Sequence, residues 1–277
     1  MTYQTLNVRR EDNILYVDFN NPPVNLMNVA MVGELFDLAG SLAFDPQTAV
    51  VVFGSANPEF FIAHFDLGDL VKVISGDPGV PQSQYDDINA VQALTTTWQT
   101  LPQVTISVVD GICRGVGLEF LLATTMRFAT PHSRFCFPEA GGGILPGGGG
   151  TTRLAMQIGP ARAAEVILSA RDFTGEEAAA YGLVNRVIPG DEIAGYVETL
   201  ARGVASRSPG AVAAINQVLK SVYDSAVDAQ FAGFASENDG IRTLSAAPGV
   251  KEALQHLAGL QDLEHERDLP AIIAAAR

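Results

Sequence analysis

Val109-Asp110-Gly111-Ile112-Cys113-Arg114-Gly115-Val116-Gly117-Leu118-Glu119 is the stretch that decides how this chain of 277 residues folds. The apolar run from Val104 to Val109 reads as a strand that stops at Asp110-Gly111. A helix is expected to begin near Val116, which makes the Val116 N–H one of its unpaired N-terminal donors. Glu119 follows three residues later, on the same face and one turn up. One helix end then offers an amide donor beside a carboxylate, as an oxyanion hole with an adjacent base requires. A plain first-turn glutamate answering the helix dipole has the same spacing.

Outward from this segment, strand and helix patterns alternate. Residues 14–19 are rich in β-branched and aromatic side chains and read as a strand, broken by Asn20-Asn21-Pro22-Pro23. Asn28 can cap a helix in which Val32, Leu35, Leu38 and Leu42 recur at helical spacing. Ala49 to Phe53 reads as a fully buried strand. Phe60-Phe61-Ile62-Ala63-His64-Phe65 passes from an apolar strand into a helix capped by Asp66, with the Phe65 N–H as a second free-donor candidate. An ordinary capped turn fits those residues equally. Residues 75–84, with Gly76, Pro78, Gly79 and Pro81, are expected as an exposed loop, and 86–100 as a helix. Phe128 and Phe135-Cys136-Phe137 read as short strands. Residues 140–150 are too glycine-rich for anything but a loop, after which Thr151 or Thr152 is expected to cap a helix. Thr174 and Glu177 form a capping-box pair. Beyond Pro189 only helical patterns remain. The expected fold class is therefore α/β, with a core over residues 1–205 and a helical C-terminal region over 206–277.

Composition narrows the function. Hydrophobic residues make up 47% and charged residues 17%, an ordinary globular balance. The net charge of −14 leaves nothing to offset phosphate repulsion, so a general nucleic-acid partner is not expected. The two cysteines, Cys113 and Cys136, are neither a disulfide framework nor a metal-ligand spacing, and no metal is expected. No signal peptide and no membrane-length apolar run is seen, which points to a cytoplasmic protein without a membrane partner.

Glu139 follows a short strand and Pro138 and precedes the glycines, where a carboxylate can face a pocket, cap a helix or sit in water. The glycine loop has no Gly-Lys-Ser/Thr ending and no dinucleotide fingerprint, so no phosphate cradle is expected there. His132, His256 and His265 read as surface residues. The acidic stretch Asp262, Glu264, Glu266 and Asp268 reads as a solvated face.

Taken in order, these segments resemble the enoyl-CoA hydratase/isomerase, or crotonase, superfamily. Pro22-Pro23-Val24-Asn25-Leu26-Met27-Asn28 is similar to its Pro-x-x-Asn-x-Leu/Met-Asn segment. Phe60 to Leu67 looks like its Phe-x-Ala-Gly-x-Asp-Leu turn, and Val109 to Glu119 like its Asn-Gly-x-x-x-Gly-Gly-Gly-x-Glu segment. Phe137-Pro138-Glu139, followed by Gly143, Pro146, Gly149 and Leu154, is similar to its Pro-Glu run. The resemblance spans about residues 6 to 190.

It implies a crotonase-type superhelix of ββα turns, with C-terminal helices used for oligomerisation into homotrimers, often paired as hexamers. It implies an oxyanion hole built from the Phe65 and Val116 amides, and catalytic roles for Glu119 and Glu139. It places the acyl-CoA substrate against Ala63, His64, Asp66, Leu67, Gly115 and Pro138. With both glutamates present, the implied activity is that of an enoyl-CoA hydratase, a lyase. It would add water syn to a 2-enoyl-CoA, as in fatty-acid or related acyl-CoA degradation. No cofactor is implied, since coenzyme A is part of the substrate. The alternatives are another acyl-CoA enzyme of the superfamily (isomerase, hydrolase, decarboxylase or C–C lyase) or a non-catalytic oligomeric member. Three positions depart from the pattern. His64 stands where the superfamily usually has Gly, and Val116 replaces the middle glycine of the triplet. The usual basic C-terminal ending, which helps hold the CoA phosphates, is replaced by 237–252, where Lys251 is the candidate substitute.

Overall fold

A computed structural model describes residues 2–77, 88–224 and 227–275. The chain opens with an antiparallel pair, β1 (Leu6–Glu11) and β2 (Ile14–Phe19), followed by α1 (Val29–Leu42). Three ββα turns follow. The first is β3 (Val50–Ser55), β4 (Phe60–Ile62), α2 (Leu67–Ile74) and α3 (Ala90–Thr100). The second is β5 (Val104–Val109), β6 (Ile112–Arg114) and α4 (Val116–Leu122), and the third β7 (Met126–Ala129), β8 (Arg134–Cys136) and α5 (Gly150–Ile158). Next come α6 (Pro160–Ser169), β9 (Phe173–Thr174), α7 (Gly175–Tyr181), β10 (Arg186–Val187) and α8 (Gly190–Ala205). The C-terminal helices are α9 (Pro209–Asp224), α10 (Val227–Ser245), α11 (Val250–Ala258), α12 (Leu263–Arg267) and α13 (Leu269–Ala275).

Each turn lays its first strand in one sheet and its second in another. The longer sheet runs β1-β2-β3-β5-β7-β10, and the shorter β4-β6-β8-β9. Pairing is parallel from β2 to β10 in the first and from β4 to β8 in the second. This is the ββα superhelix that the resemblance implies. The greater part of the loop expected over 75–84 lies outside the described residues, as does the start of the helix expected at 86.

The middle strands are buried on both faces, which is why they read as unbroken apolar runs. Val51 and Phe53 of β3 join the main core under α1, α3 and α4, while Val50 and Val52 meet Ile193, Val197 and Ala201 of α8. Phe19, Phe53, Phe61, Trp98 and Phe120 interlock at the centre, mostly edge to face. Phe120 carries α4, all seven residues of which are buried. The helix is thus seated by its own core contacts with Glu119 fixed beside Phe120.

Four strands left no readable pattern: β1, β6 and the two-residue β9 and β10. β1 is an edge strand whose residues Asn7 to Arg10 are exposed, so it has no apolar alternation. β6 has three residues and lies between Gly111 and Gly115. No helix among the described residues is long and apolar enough to cross a membrane.

Asn25 ties the start of the superhelix together. It is buried, at φ 54°, in the left-handed region that Asn tolerates better than most residues. Its Nδ2 lies 2.9–3.2 Å from Phe19 O, Ser55 Oγ, Phe60 O and Phe61 O, and its Oδ1 accepts from Asn21 N. Asn25→Ala strands these groups and strains the backbone. It is expected to lower the unfolding free energy by about 3 kcal/mol, read from urea titration.

Candidate active site

The turn after β4 is held by one isolated parallel bridge, Met27 to Phe65. Met27 N donates to His64 O and Asp66 N donates to Met27 O, both at 2.9 Å. Such a bridge uses the groups on either side of Phe65 and turns the Phe65 N–H away. Among the described residues that N–H has no acceptor, and neither has the Val116 N–H at the start of α4. Asp66 caps α2 by accepting from Asp69 N. Gly115 precedes α4 at φ 49°, and a Cβ there would lie 2.7 Å from Glu139 Oε1 and 3.4 Å from His64 Cβ. Only glycine allows that backbone to run between the two side chains.

The two glutamates occupy unlike environments. Glu119 is buried, and its Oε1 accepts from Gly148 N at 2.7 Å and Gly150 N at 2.9 Å. Burial and the nearby Glu237 charge push its pKa up to about 7, against the pull of those two amides. Glu139 has a buried Oε2 with no hydrogen-bond partner among the described residues. Burial first, then the Glu119 charge, hold its pKa well above the usual carboxylate range. The geometry therefore pairs a carboxylate stabilised by amides with a carboxyl group that favours its proton.

His64, Phe65, Leu67, Pro138 and Glu139 line one apolar cavity of about 70 Å³, closed from the C-terminal side by Leu254, Leu257, Leu269 and Ile273. Gly115 lies directly beneath it, against Glu139 and His64. Ala63 does not reach this cavity but packs with Val24 and Phe60, and the Asp66 side chain is occupied as a cap. Val116 sits in the main core, so its contribution here is its backbone amide.

The profile of the enoyl-CoA hydratase/isomerase family matches residues 9–256. This chain belongs to that family. A 2,3-dehydroadipyl-CoA hydratase of Escherichia coli (strain K12) is 30% identical over 249 residues, covering 89% of this chain and 92% of the relative. A carnitinyl-CoA dehydratase of Salmonella arizonae is 28% identical, covering 81% of this chain and 84% of the relative. A crystal structure from Streptomyces avermitilis, assigned provisionally as an enoyl-CoA hydratase, superposes with a TM-score of 0.89. It is 35% identical and covers 99% of this chain and 98% of its own.

In this member of the family, residues that carried no local signal complete the site. Glu237 of α10 is buried and accepts from Gly149 N, Thr152 N and Thr152 Oγ1 at 2.7–2.9 Å, and from Gln92 Nε2 at 3.1 Å. It corrects the expected cap: α5 begins at Gly150 with Gly149 before it, and neither Thr151 nor Thr152 caps it by side chain. Long-range carboxylates satisfy those amides instead. Arg153, also buried, faces them and donates to Thr95 Oγ1 and Gln99 Oε1. The acidic stretch needs a second correction. Glu266 is 1% exposed, not part of a solvated face, and its Oε1 lies 2.7 Å from His64 Nε2. Asp262 of the same stretch caps α12. Lys251, the candidate phosphate partner, is exposed on α11.

The raised Glu119 pKa has a sign for stability. The folded chain binds a proton there at pH values where the unfolded chain has lost it, so Glu119 costs stability progressively as pH rises from about 4.5 to about 7. Glu119→Gln keeps an oxygen for Gly148 N and Gly150 N. Its stability relative to wild type is expected to rise across that window, followed by urea unfolding at successive pH values.

Proposed function

We propose that this chain is an enoyl-CoA hydratase that adds water syn across the C2=C3 bond of a 2-enoyl-CoA thioester. The observation that carries the reading is a pair of unlike glutamates: Glu139 lines the cavity beside the free Phe65 amide, and Glu119, amide-bound behind it, is close enough for its charge to act on Glu139. The Phe65 and Val116 N–H groups, free of other acceptors, would receive the thioester oxygen, on which negative charge grows as the enolate forms. Glu119, its carboxylate stabilised by two amides, would take a proton from water as the water oxygen bonds to C3. Glu139, held well above the usual carboxylate range by burial and the Glu119 charge, would deliver its proton to C2. The electron pair of the C2=C3 bond passes through the enolate to the new C2–H bond. Return of the proton from Glu119 to Glu139 closes the cycle with one water added. No metal or redox group enters this scheme, and coenzyme A arrives with the substrate.

Retention of both carboxylates favours hydration over the superfamily's isomerase, hydrolase, decarboxylase and C–C lyase reactions, and over a non-catalytic role. The names of the relatives, a hydratase and a dehydratase of CoA esters, point to the same reaction in its two directions. The cavity wall is apolar, which favours an uncharged acyl group of the kind met in fatty-acid degradation. We further propose a homotrimer or hexamer in the cytoplasm. Ile215 and Leu219, four residues apart and exposed on α9, suit a subunit contact, and the buried free thiols Cys113 and Cys136 suit a reducing compartment.

The test is loss of the conjugated enoyl absorbance of crotonyl-CoA. Wild type is expected to turn over, and Glu119→Gln and Glu139→Gln each to lower kcat by about 100-fold or more with unchanged circular dichroism. Because Glu119 acts ionised, kcat is expected to rise with pH through about 7. Turnover undiminished in either variant would overturn the assignment of that residue.

A further inference from the structure

The turn that carries the Phe65 amide is clasped by the chain's own C-terminal segment. Leu67 N donates to Gln261 Oε1 at 2.7 Å. His64 Nε2 meets Glu266 Oε1 at 2.7 Å, 202 residues away in sequence, and both side chains are buried. Arg267 forms an exposed ion pair with Glu59. From the other side Arg114, fully buried and paired with Asp172 through two nitrogens, donates to the Glu266 and Arg267 carbonyls. The segment 261–267 is thus held over the turn by several groups, of which only one pair is titratable and buried on both sides.

The proton arrangement of that pair follows from its neighbours. His64 Nδ1 lies 2.7 Å from Phe65 O, and a carbonyl oxygen only accepts, so Nδ1 carries a proton. Nε2 and the Glu266 carboxyl then bond through one further proton, held on either partner. Without it, a nitrogen lone pair and a carboxylate would face each other out of water. Glu139 and Glu266 are the titratable groups around His64. Arg114 donates to the Glu266 carbonyl from β6, and the cavity beside His64 takes Leu67, Leu70, Leu254, Leu257, Leu269 and Ile273 from α2, α11 and α13.

We propose that His64 and Glu266 are positioning residues: through one shared proton they lock α12 onto the oxyanion turn, so the Phe65 amide is correctly placed only while α12 is docked. The catalytic consequence rests on the hydratase reading above; the docking does not. A donor misplaced by about 1 Å costs on the order of 100-fold in rate. The pair therefore acts on kcat more than on KM. It also gives the histidine at position 64 a use that glycine there would lack: its two ring nitrogens bond Phe65 O and Glu266 together.

The experiment compares wild type, Glu266→Ala and Glu266→Gln as full-length proteins. Glutamine can donate an N–H to Nε2, so it keeps the contact that alanine removes. Hydrogen–deuterium exchange of peptides covering residues 62–70, which include the Leu67 amide, reads docking without any turnover. Exchange there is expected to quicken in Glu266→Ala and to match wild type in Glu266→Gln. Crotonyl-CoA kinetics near neutral pH are expected to show kcat lowered about tenfold or more in Glu266→Ala, with KM changed less than about threefold, and near wild type in Glu266→Gln. Unchanged exchange in Glu266→Ala, or exchange in Glu266→Gln as fast as in Glu266→Ala, overturns the proposal. Should Glu266→Ala not fold, His64→Ala is read in its place, with the same quickening expected and unchanged exchange overturning the proposal. Altered exchange with no turnover in any protein would leave the lock standing and remove the hydratase reading instead.

Discussion

Four backbone amides, at Gly148, Gly149, Gly150 and Thr152, are satisfied in the interior by two carboxylates. Glu119 takes the first and third, and Glu237 the second and fourth. Unpaired amides in a dry interior would each cost on the order of 1–3 kcal/mol, and a lone buried carboxylate more. Each partner therefore makes the other tolerable. A Cβ at Gly148 would collide with the Glu119 carboxylate, so the close approach depends on glycine there. Arg153 lies beside both acids, yet one cation does not neutralise two carboxylates, and Glu119 stays harder to ionise than a surface glutamate. The immobility of the proposed base and its readiness to titrate near neutrality come from one arrangement.

A second division of labour governs the turn that carries Phe65. The Met27–Phe65 bridge consumes the groups flanking Phe65 and leaves its amide unclaimed. A single bridge is a weak restraint. The contacts from Gln261, Glu266 and Arg114 supply what it lacks. The helical C-terminal region thus takes part in shaping the candidate site, and its apolar residues Leu254, Leu257, Leu269 and Ile273 form one wall of the cavity.

Much of the centre was legible because it is local. Strand β2, the Asn28 cap of α1, the Asp66 cap of α2 and the Thr174–Glu177 capping box all depend on side chains within a few residues of what they bind. The first-turn position of Glu119 and the free amides of Phe65 and Val116 follow from turn and helix geometry, so four short segments sufficed to suggest the family. Edge strand β1 was not legible, because an exposed strand needs no apolar alternation. The structural repeat was also hidden, because its ββα turns differ in length and share no residue pattern.

By itself, the sequence determined the alternation of strand and helix, the α/β class and the place of Glu119 one turn above the Val116 amide. Spacing along the chain controls each of these. Only the tertiary structure decided which partners those groups meet. Glu237 reads as any helical acid until it reaches Gly149, 88 residues earlier, and Glu266 as one acid in a charged run until it meets His64. Whether a carboxylate is solvated or buried, and so how readily it gives up its proton, depends on what packs over it. That packing joins residues that no local pattern relates.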